Sequence, residues 1–395
     1  MKLLRTLSTS RLVLLLTAVA VVAAAVAAIA VSASGGSGST PPPKSLAQAL
    51  HDSLAGPSPA GITARVKFTN KLFPSGAIAG QIGSALMSGA SGRLWATNDG
   101  RGRLELQSDA GDVQIVWTQS DVSVFDASSN TVYRAKLPAT AKDSKDSNGS
   151  AAESGVPSVA KITEVLSKLT DHVVLSGALP SNVAHHEAYA VRITPKHDGG
   201  LLGAGELAWD AARGVPLRVG IYAQGASSPV LELAATHISY GPLAASAVDI
   251  SPPAGAKTID LGSLSQHHAG KGSRVNTNGL QAVEAAAGFP VLAPDKLIGL
   301  PRQDVRLVGN GESKAAIVVY GHGLGAILVV ERKATAGGNS GPLGSLPTVT
   351  LDGVTAHELS TQLGTALTWN HAGIAYVLAG SVPATAAEAA GRELK

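Results

Sequence analysis

The residues with the most evident capacity for chemistry are histidines beside carboxylates: His185-His186-Glu187, His357-Glu358 and Asp171-His172, with a further pair at His267-His268. Imidazole and carboxylate together serve as metal ligands, or as the base and orienter of a nucleophilic triad. The spacing argues against both. A zinc-binding HExxH needs a second histidine one helical turn on; those positions are Ala190 and Thr361. Adjacent residues such as His185 and His186 point to opposite faces of a strand. No serine can be paired with Asp171-His172, and no G-x-S-x-G elbow occurs. Gly321-His322-Gly323-Leu324-Gly325 is glycine-rich, but it lies between two strand-like stretches and opens no helix, so it reads as a turn and not as a phosphate cradle. The chain has no cysteine, which removes a thiol nucleophile, a thiolate metal site and a lipid-modified cysteine. The sequon Asn148-Gly149-Ser150 marks an exposed loop. No catalytic, cofactor-binding or metal-binding residue is expected, and the chain reads as non-enzymatic.

What remains is apolar surface presented at strand spacing. In GITARVKFTN, from Gly61, the residues Ile62, Ala64, Val66 and Phe68 share one face while Thr63, Arg65, Lys67 and Thr69 share the other. The same alternation runs through GRLWATN, GRLELQS, DVQIVWTQ, DVSVFDA and TVYRAK between 91 and 136, separated by turn residues such as Asn98-Asp99-Gly100. It resumes at Glu187–Pro195, Gly205–Asp210, Val215–Ala223 and Pro229–Tyr240. Short returns favour antiparallel pairing. The inward face collects Ile62, Val66, Phe68, Leu94, Leu104, Leu106, Ile115, Trp117, Val122, Val124, Tyr189, Val191, Ile193, Leu207, Trp209, Leu217, Val219 and Ile221. Such a face is either an ordinary packed core or the lining of an apolar cavity. A cavity would hold acyl chains by burial, at about 0.8 kcal/mol per CH₂.

Two helices accompany these strands. Ser45 and Gln48 form a capping box ahead of Leu46, Leu50 and Leu54, and Gly56-Pro57 ends the run. Ser158 opens a second helix with Val159, Ile162, Val165, Leu166 and Leu169 on one stripe. Residues 138–157 are polar and low in complexity and are expected to be a mobile, dispensable surface loop. The Pro-, Gly-, Ser- and His-rich stretch at 256–278 reads as an interdomain linker. Beyond it, residues 279–395 read as a small antiparallel α+β domain with a helix at each end and Asp352-Gly353 as its clearest hairpin turn.

The N-terminus places these domains in the cell. Residues 12–31 are an uncharged apolar run of 20 residues, preceded by Lys2, Arg5 and Arg11 and followed by the tether 34–44. Cations on the short side keep that end in the cytoplasm, so the remainder is expected to be exported. Residues 1–33 fit either a cleaved signal peptide, with small residues at 28–30 and 31–33, or an uncleaved membrane anchor. No acid precedes residue 34, so the exported part carries 28 of the 31 basic residues against all 28 acids. That balance, without Lys/Arg clusters, excludes a nucleic-acid surface.

The order of elements over 45–255, with IVWTQSDVSVFDASSNTVYRAKLP and the closing VDISPPAGAK, resembles the bacterial lipoprotein carriers of the LolA type. Residues 279–395, with FPVLAPDKLIG, VVYGHGLGAILVVERK and TWNHAGIAYVLAGSVP, resemble the C-terminal part of periplasmic sigma-factor regulators of the RseB/MucB kind, and also domains of that shape in actinobacterial envelope proteins. The resemblance implies an α+β fold: a curved antiparallel sheet forming an incomplete barrel, helices on its concave face, and a second, smaller antiparallel α+β domain. It implies a cell-envelope protein binding a lipid or lipoprotein acyl chain in an apolar cavity. The alternative is a membrane-anchored sensor contacting an anti-sigma factor or another membrane protein through its second domain. One departure stands out: a shuttle of this type is free in the periplasm, whereas an uncleaved apolar run would anchor this chain.

Overall fold

The computed structural model describes residues 38–72, 85–137, 156–197, 199–260, 277–334 and 346–395. The apolar run 12–31, most of the loop 138–157, His267-His268 and the greater part of the linker lie outside these residues.

The first sheet is built from β1 (Gly61–Asn70), β2 (Ala90–Thr97), β3 (Gly102–Ser108), β4 (Gly111–Trp117), β5 (Asp121–Asp126), β6 (Thr131–Lys136), β7 (Val173–Leu175), β8 (Leu179–Val183), β9 (His186–Pro195), β10 (Leu202–Asp210), β11 (Pro216–Ala223), β12 (Leu231–Tyr240) and β13 (Lys257–Asp260). Its order is β13-β6-β5-β4-β3-β2-β1-β12-β11-β10-β9-β7, with β8 also on β9, and the ends do not meet. The sheet is curved and open. Every ladder is antiparallel except the edge pair β6–β13, which the stretch read as linker supplies. A meander β1–β6 and a second meander β9–β12 are joined at the centre by β1 on β12.

Among the described residues three α-helices accompany this sheet: α1 (Leu46–Ala55), α2 (Ala85–Ser88) and α3 (Val159–Leu169). The side chains of Ser45 and Ser158 accept the Gln48 and Lys161 amide N–H, the N-caps their sequences foretell. The helices α1 and α3 pack on each other, so they lie on the same side of the sheet, and His51 Nδ1 sits 2.9 Å from the Pro157 carbonyl. The Trp209 indole donates to Ser53 Oγ at 2.7 Å, and that hydroxyl donates to the Ala49 carbonyl at 2.7 Å. A buried indole thereby finds its partner and fixes α1 over β10. The tether is held as well: Tyr189 donates to the Pro42 carbonyl at 2.6 Å and Asn182 to that of Ser39 at 2.9 Å.

The second sheet comprises β14 (Thr277–Asn278), β15 (Lys296–Leu297), β16 (Leu300–Val308), β17 (Ala315–Tyr320), β18 (Ile327–Lys333), β19 (Thr348–Leu351), β20 (Val354–Thr361), β21 (Gly364–His371) and β22 (Ile374–Gly380), in the order β14-β16-β17-β18-β22-β21-β20-β19 with β15 on β16. The helices α4 (Leu280–Ala287) and α5 (Ala384–Glu393) open and close it. Its core is separate from that of the first sheet, with Val283, Leu307, Val318, Ile327, Trp369, Leu378 and Ala387 in one buried group. The Asp352-Gly353 turn has both residues at positive φ, 44° and 93°, as a two-residue hairpin requires.

Among the described residues, hydrogen bonds join the domains at two places. The Leu201 amide donates to Ser381 O at 3.1 Å and to its Oγ at 2.9 Å, and Gln362 Nε2 donates to the Lys71 carbonyl at 2.9 Å.

Candidate functional site

The alternating strands bring eleven of the proposed lining residues into one buried apolar group: Ile62, Val66, Phe68, Leu94, Leu104, Leu106, Ile115, Trp117, Val122, Val124 and Leu217. The eleven lining residues in it run from β5 through the centre of the sheet to β11, and alanines of β6, β9 and β10 extend the group at both ends. The only described helical residues in it are Ala85 and Leu86 of the short α2. Trp117 lies flat over a glycine: a Cβ at Gly102, its register partner, would fall 2.0 Å from the indole Cζ2. The ring needs that gap, so the pairing of glycine and tryptophan across β3 and β4 is part of the site.

Tyr189, Val191, Leu207 and Trp209 gather elsewhere, in a smaller group with Leu46, Ala49 and Leu50 of α1. Their strand neighbours Ala188, Ala190 and Ala208 belong to the large group instead. Alternation along a strand sends successive side chains to opposite faces, so β9 and β10 are covered on both. Of the remaining positions, Val219 and Ile221 are half-buried and Ile193 is exposed; none of them joins either group. The amphipathic α3 buries only Ile162, leaving Val165 and Leu169 exposed, and Val174 on the edge strand β7 is exposed too.

Of the described histidines, His186 and His357 take structural places. His186 opens β9 after a turn in which Ala184 and His185 have positive φ. Its Nδ1 is 3.3 Å from Oδ2 of the buried Asp210. Asp210 Oδ2 also accepts the Tyr240 hydroxyl at 2.7 Å, while Oδ1 accepts the amides of Ala212 and Arg213 at 2.9 Å each. Burial, then the bond to Asp210, pushes the Tyr240 phenol well above its ordinary range, so it stays a neutral donor. The Arg213 guanidinium lies 4.5 Å over the Tyr240 ring. This cluster clamps the turn after β10 to the end of β12. No serine or threonine hydroxyl among the described residues bonds to His186. His357 Nδ1 faces the Leu346 carbonyl at 3.1 Å, and Gly321–Gly325 is a turn containing one turn of 3₁₀ helix. Among the described residues no group of three or more metal-ligating side chains is assembled, and no helix is long and apolar enough to cross a membrane.

Sequence reasoning missed Glu331. It is fully buried on β18, and burial pushes its carboxyl up to about 7 against the single stabilising amide of Leu292, which donates to Oε2 at 2.8 Å. Its Oε1, the Tyr320 hydroxyl and the Trp369 indole N–H are buried without a hydrogen-bond partner among the described residues. The sequence signal was one acid inside the apolar run AILVVERK.

No family model matches the chain, and no curated protein matches it. Among solved structures it is similar to MucB in complex with MucA(peri), at 14% identity over 89% of this chain and 96% of that one, with a TM-score of 0.41. It is similar also to the Pseudomonas aeruginosa MucA/MucB complex, at 14% identity over 87% and 94%, TM-score 0.42. An uncharacterised conserved protein from Thermus thermophilus matches at 13% identity over 54% of this chain and 97% of that one, TM-score 0.33. The first two similarities fall on the RseB/MucB kind that the sequence motifs resemble, at distant identity.

Proposed function

We propose that this chain is a non-enzymatic, extracytoplasmic binding protein whose first sheet takes the acyl chain of a lipid or lipoprotein on its inner apolar face. The observation that carries the reading is the continuous apolar group from β6 to β9, whose only described helical members are Ala85 and Leu86 of a one-turn helix. The longer helices α1 and α3 do not contribute to it. Eleven large or branched side chains gathered in one apolar group, which among the described residues receives no helix longer than one turn, are chemically suited to an alkyl chain. Export through the apolar run 12–31 belongs to the same reading.

Tryptophan emission tests it. Added fatty acid or lysophospholipid should shift the emission, and Trp117→Asp should abolish that shift while circular dichroism shows the sheet intact. Trp117→Phe should retain lipid binding measured by native mass spectrometry. A folded protein whose emission and mass ignore every such lipid would mean that the group is only a packed core.

A second reading is favoured by a different observation. Exposed Val165, Leu169 and Val174 lie on α3 and the edge strand β7, a place where a membrane-protein or anti-sigma partner could dock. In the second domain the large exposed apolar residues described are Val308 and Leu324, so the contact expected there from sequence has less apolar surface to use.

A further inference from the structure

The outer face of the central strands carries a feature that the acyl-binding reading does not use. Arg65 on β1 stands directly opposite Arg93 on β2, and on its other side opposite His237 of β12. Lys67 stands opposite Ser91. Two adjoining surface grooves, of about 310 and 290 Å³, share Arg65 and Arg93; the first adds Lys67, Ser91 and Gln107, the second Trp95 and His237. Arg65, Lys67 and Arg93 are exposed, and none has an ion pair or side-chain hydrogen bond among the described residues.

Like charges directly opposite on an antiparallel pair, with Cβ atoms ~5 Å apart, are destabilising. A nearby acid normally relieves this. Glu105 stands opposite Arg93 in the register, but it is ion-paired with Arg103 and accepts a hydrogen bond from Gln114 Nε2 at 3.3 Å. The Arg103 guanidinium is itself stacked over Trp95 at 4.9 Å. Glu105 is therefore committed; a second acid of this face, Glu232 opposite Thr69, is buried and lies towards Lys67, and burial raises its pKa, so the two facing guanidinium groups keep their donors free.

We propose that the outer groove over β12, β1 and β2 binds a phosphoryl group clamped between Arg65 and Arg93. Two guanidinium forks, the Lys67 ammonium, the Ser91 hydroxyl and the Gln107 amide present more donors than the two oxygens of a carboxylate can accept. A tetrahedral oxyanion has the oxygens to take them, and arginine forks match it. The buried side chains Ala64, Val66 and Leu94 of the same strands point the other way, so this site is independent of the acyl-binding face.

Arginine-selective labelling with phenylglyoxal, read by peptide mass spectrometry on the full-length chain, tests the proposal. In neutral detergent, inorganic phosphate and glycerol 3-phosphate are the soluble probes, with sodium chloride at matched ionic strength as the control. Nanodiscs of phosphatidylcholine with and without phosphatidylglycerol supply the lipid arm. Joint protection of Arg65 and Arg93 by the soluble probes assigns a free phosphate ester; protection confined to phosphatidylglycerol nanodiscs assigns a lipid headgroup. In either case Arg93→Gln should raise the ligand concentration needed to protect Arg65 by about tenfold or more. Without ligand the variant should unfold no earlier than the parent, because it removes a like-charge pair. Labelling that no probe slows, or that chloride slows equally, overturns the proposal. So does an Arg93→Gln variant that protects Arg65 as well as the parent. The tryptophan response to fatty acid should be the same in the parent and in Arg93→Gln, which keeps this test separate from that of the inner face.

Discussion

At the scale of single residues, Glu331 sets the clearest pH dependence. It stands in a cross-strand row, Ala316–Glu331–Tyr376–Trp369–Ala356, in the middle of the second sheet. Tyr376 and Trp369 stack at 5.0 Å, and burial, with the Glu331 charge, pushes the Tyr376 phenol up to about 12. The folded-state value for Glu331 is about 7 against an ordinary 4.5. Between those values the folded chain holds a proton that the unfolded chain releases. Stability should therefore be greatest below pH 4.5 as far as this group is concerned, fall through that window, and level off above about pH 7. The loss is about 3 kcal/mol at 1.36 kcal/mol per pKa unit. Glu331→Gln retains an acceptor for the Leu292 amide and does not titrate. Urea unfolding at several pH values should show the variant overtaking the parent as pH rises; parallel curves would place the titration elsewhere. Ser53→Ala should cost about 1–3 kcal/mol, because it leaves the buried Trp209 indole without its acceptor. Residues of this kind were poorly legible. An aspartate at a strand end before Ala-Ala-Arg-Gly marks a turn, and Asp210 does accept two turn amides; that its other oxygen meets Tyr240, 30 positions away, has no local signal.

At the scale of elements, the long periodic segments were readable and the short ones were not. The helix boundaries at Ser45 and Ser158 follow from caps, and β17 and α4 from clean apolar spacing between turn residues. The elements α2, β7 and β8 have three to five residues each, too few for any period to show. The turn joining β21 to β22 is made by Ala372 and Gly373, where φ is 48° and 80°. Glycine takes the second left-handed position, and the ladder register then pairs His371 with Ile374. The outcome for α3 separates the two functional readings. Replacing Val165 and Leu169 together by serine should change stability by no more than about 0.5 kcal/mol, since both are exposed. Loss of a crosslinked envelope partner from that variant, with fatty-acid binding intact, would favour the contact reading; an unchanged crosslinking pattern would count against it.

At the scale of the whole molecule, two separately buried cores are joined, among the described residues, by the hydrogen bonds of Leu201 with Ser381 and of Gln362 with Lys71. Gly200 sits there at φ 58°, and a Cβ on it would fall 2.4 Å from the Ser381 carbonyl oxygen. Gly200→Val should push the domains apart without disturbing either core. Scattering should show a larger radius of gyration, with the circular dichroism spectrum retained; an unchanged radius would show that the contact yields. The parallel strand β13 of the first sheet lies inside the stretch read as linker, because Lys257–Asp260 is too short and polar to read as an edge. The central ladder has a consequence in time. Thr63 and Ser239 face each other across 176 residues, and Ser239 Oγ donates to the Thr63 carbonyl. A chain synthesised from its N-terminus delivers β1 long before β12 arrives to pair with it. The first meander must wait with one edge unfilled, at risk of pairing with a neighbour. The non-local closure also makes folding slow. The rate at which the segment around residue 240 emerges, and any holding factor waiting for it, thus become part of how this protein reaches its shape.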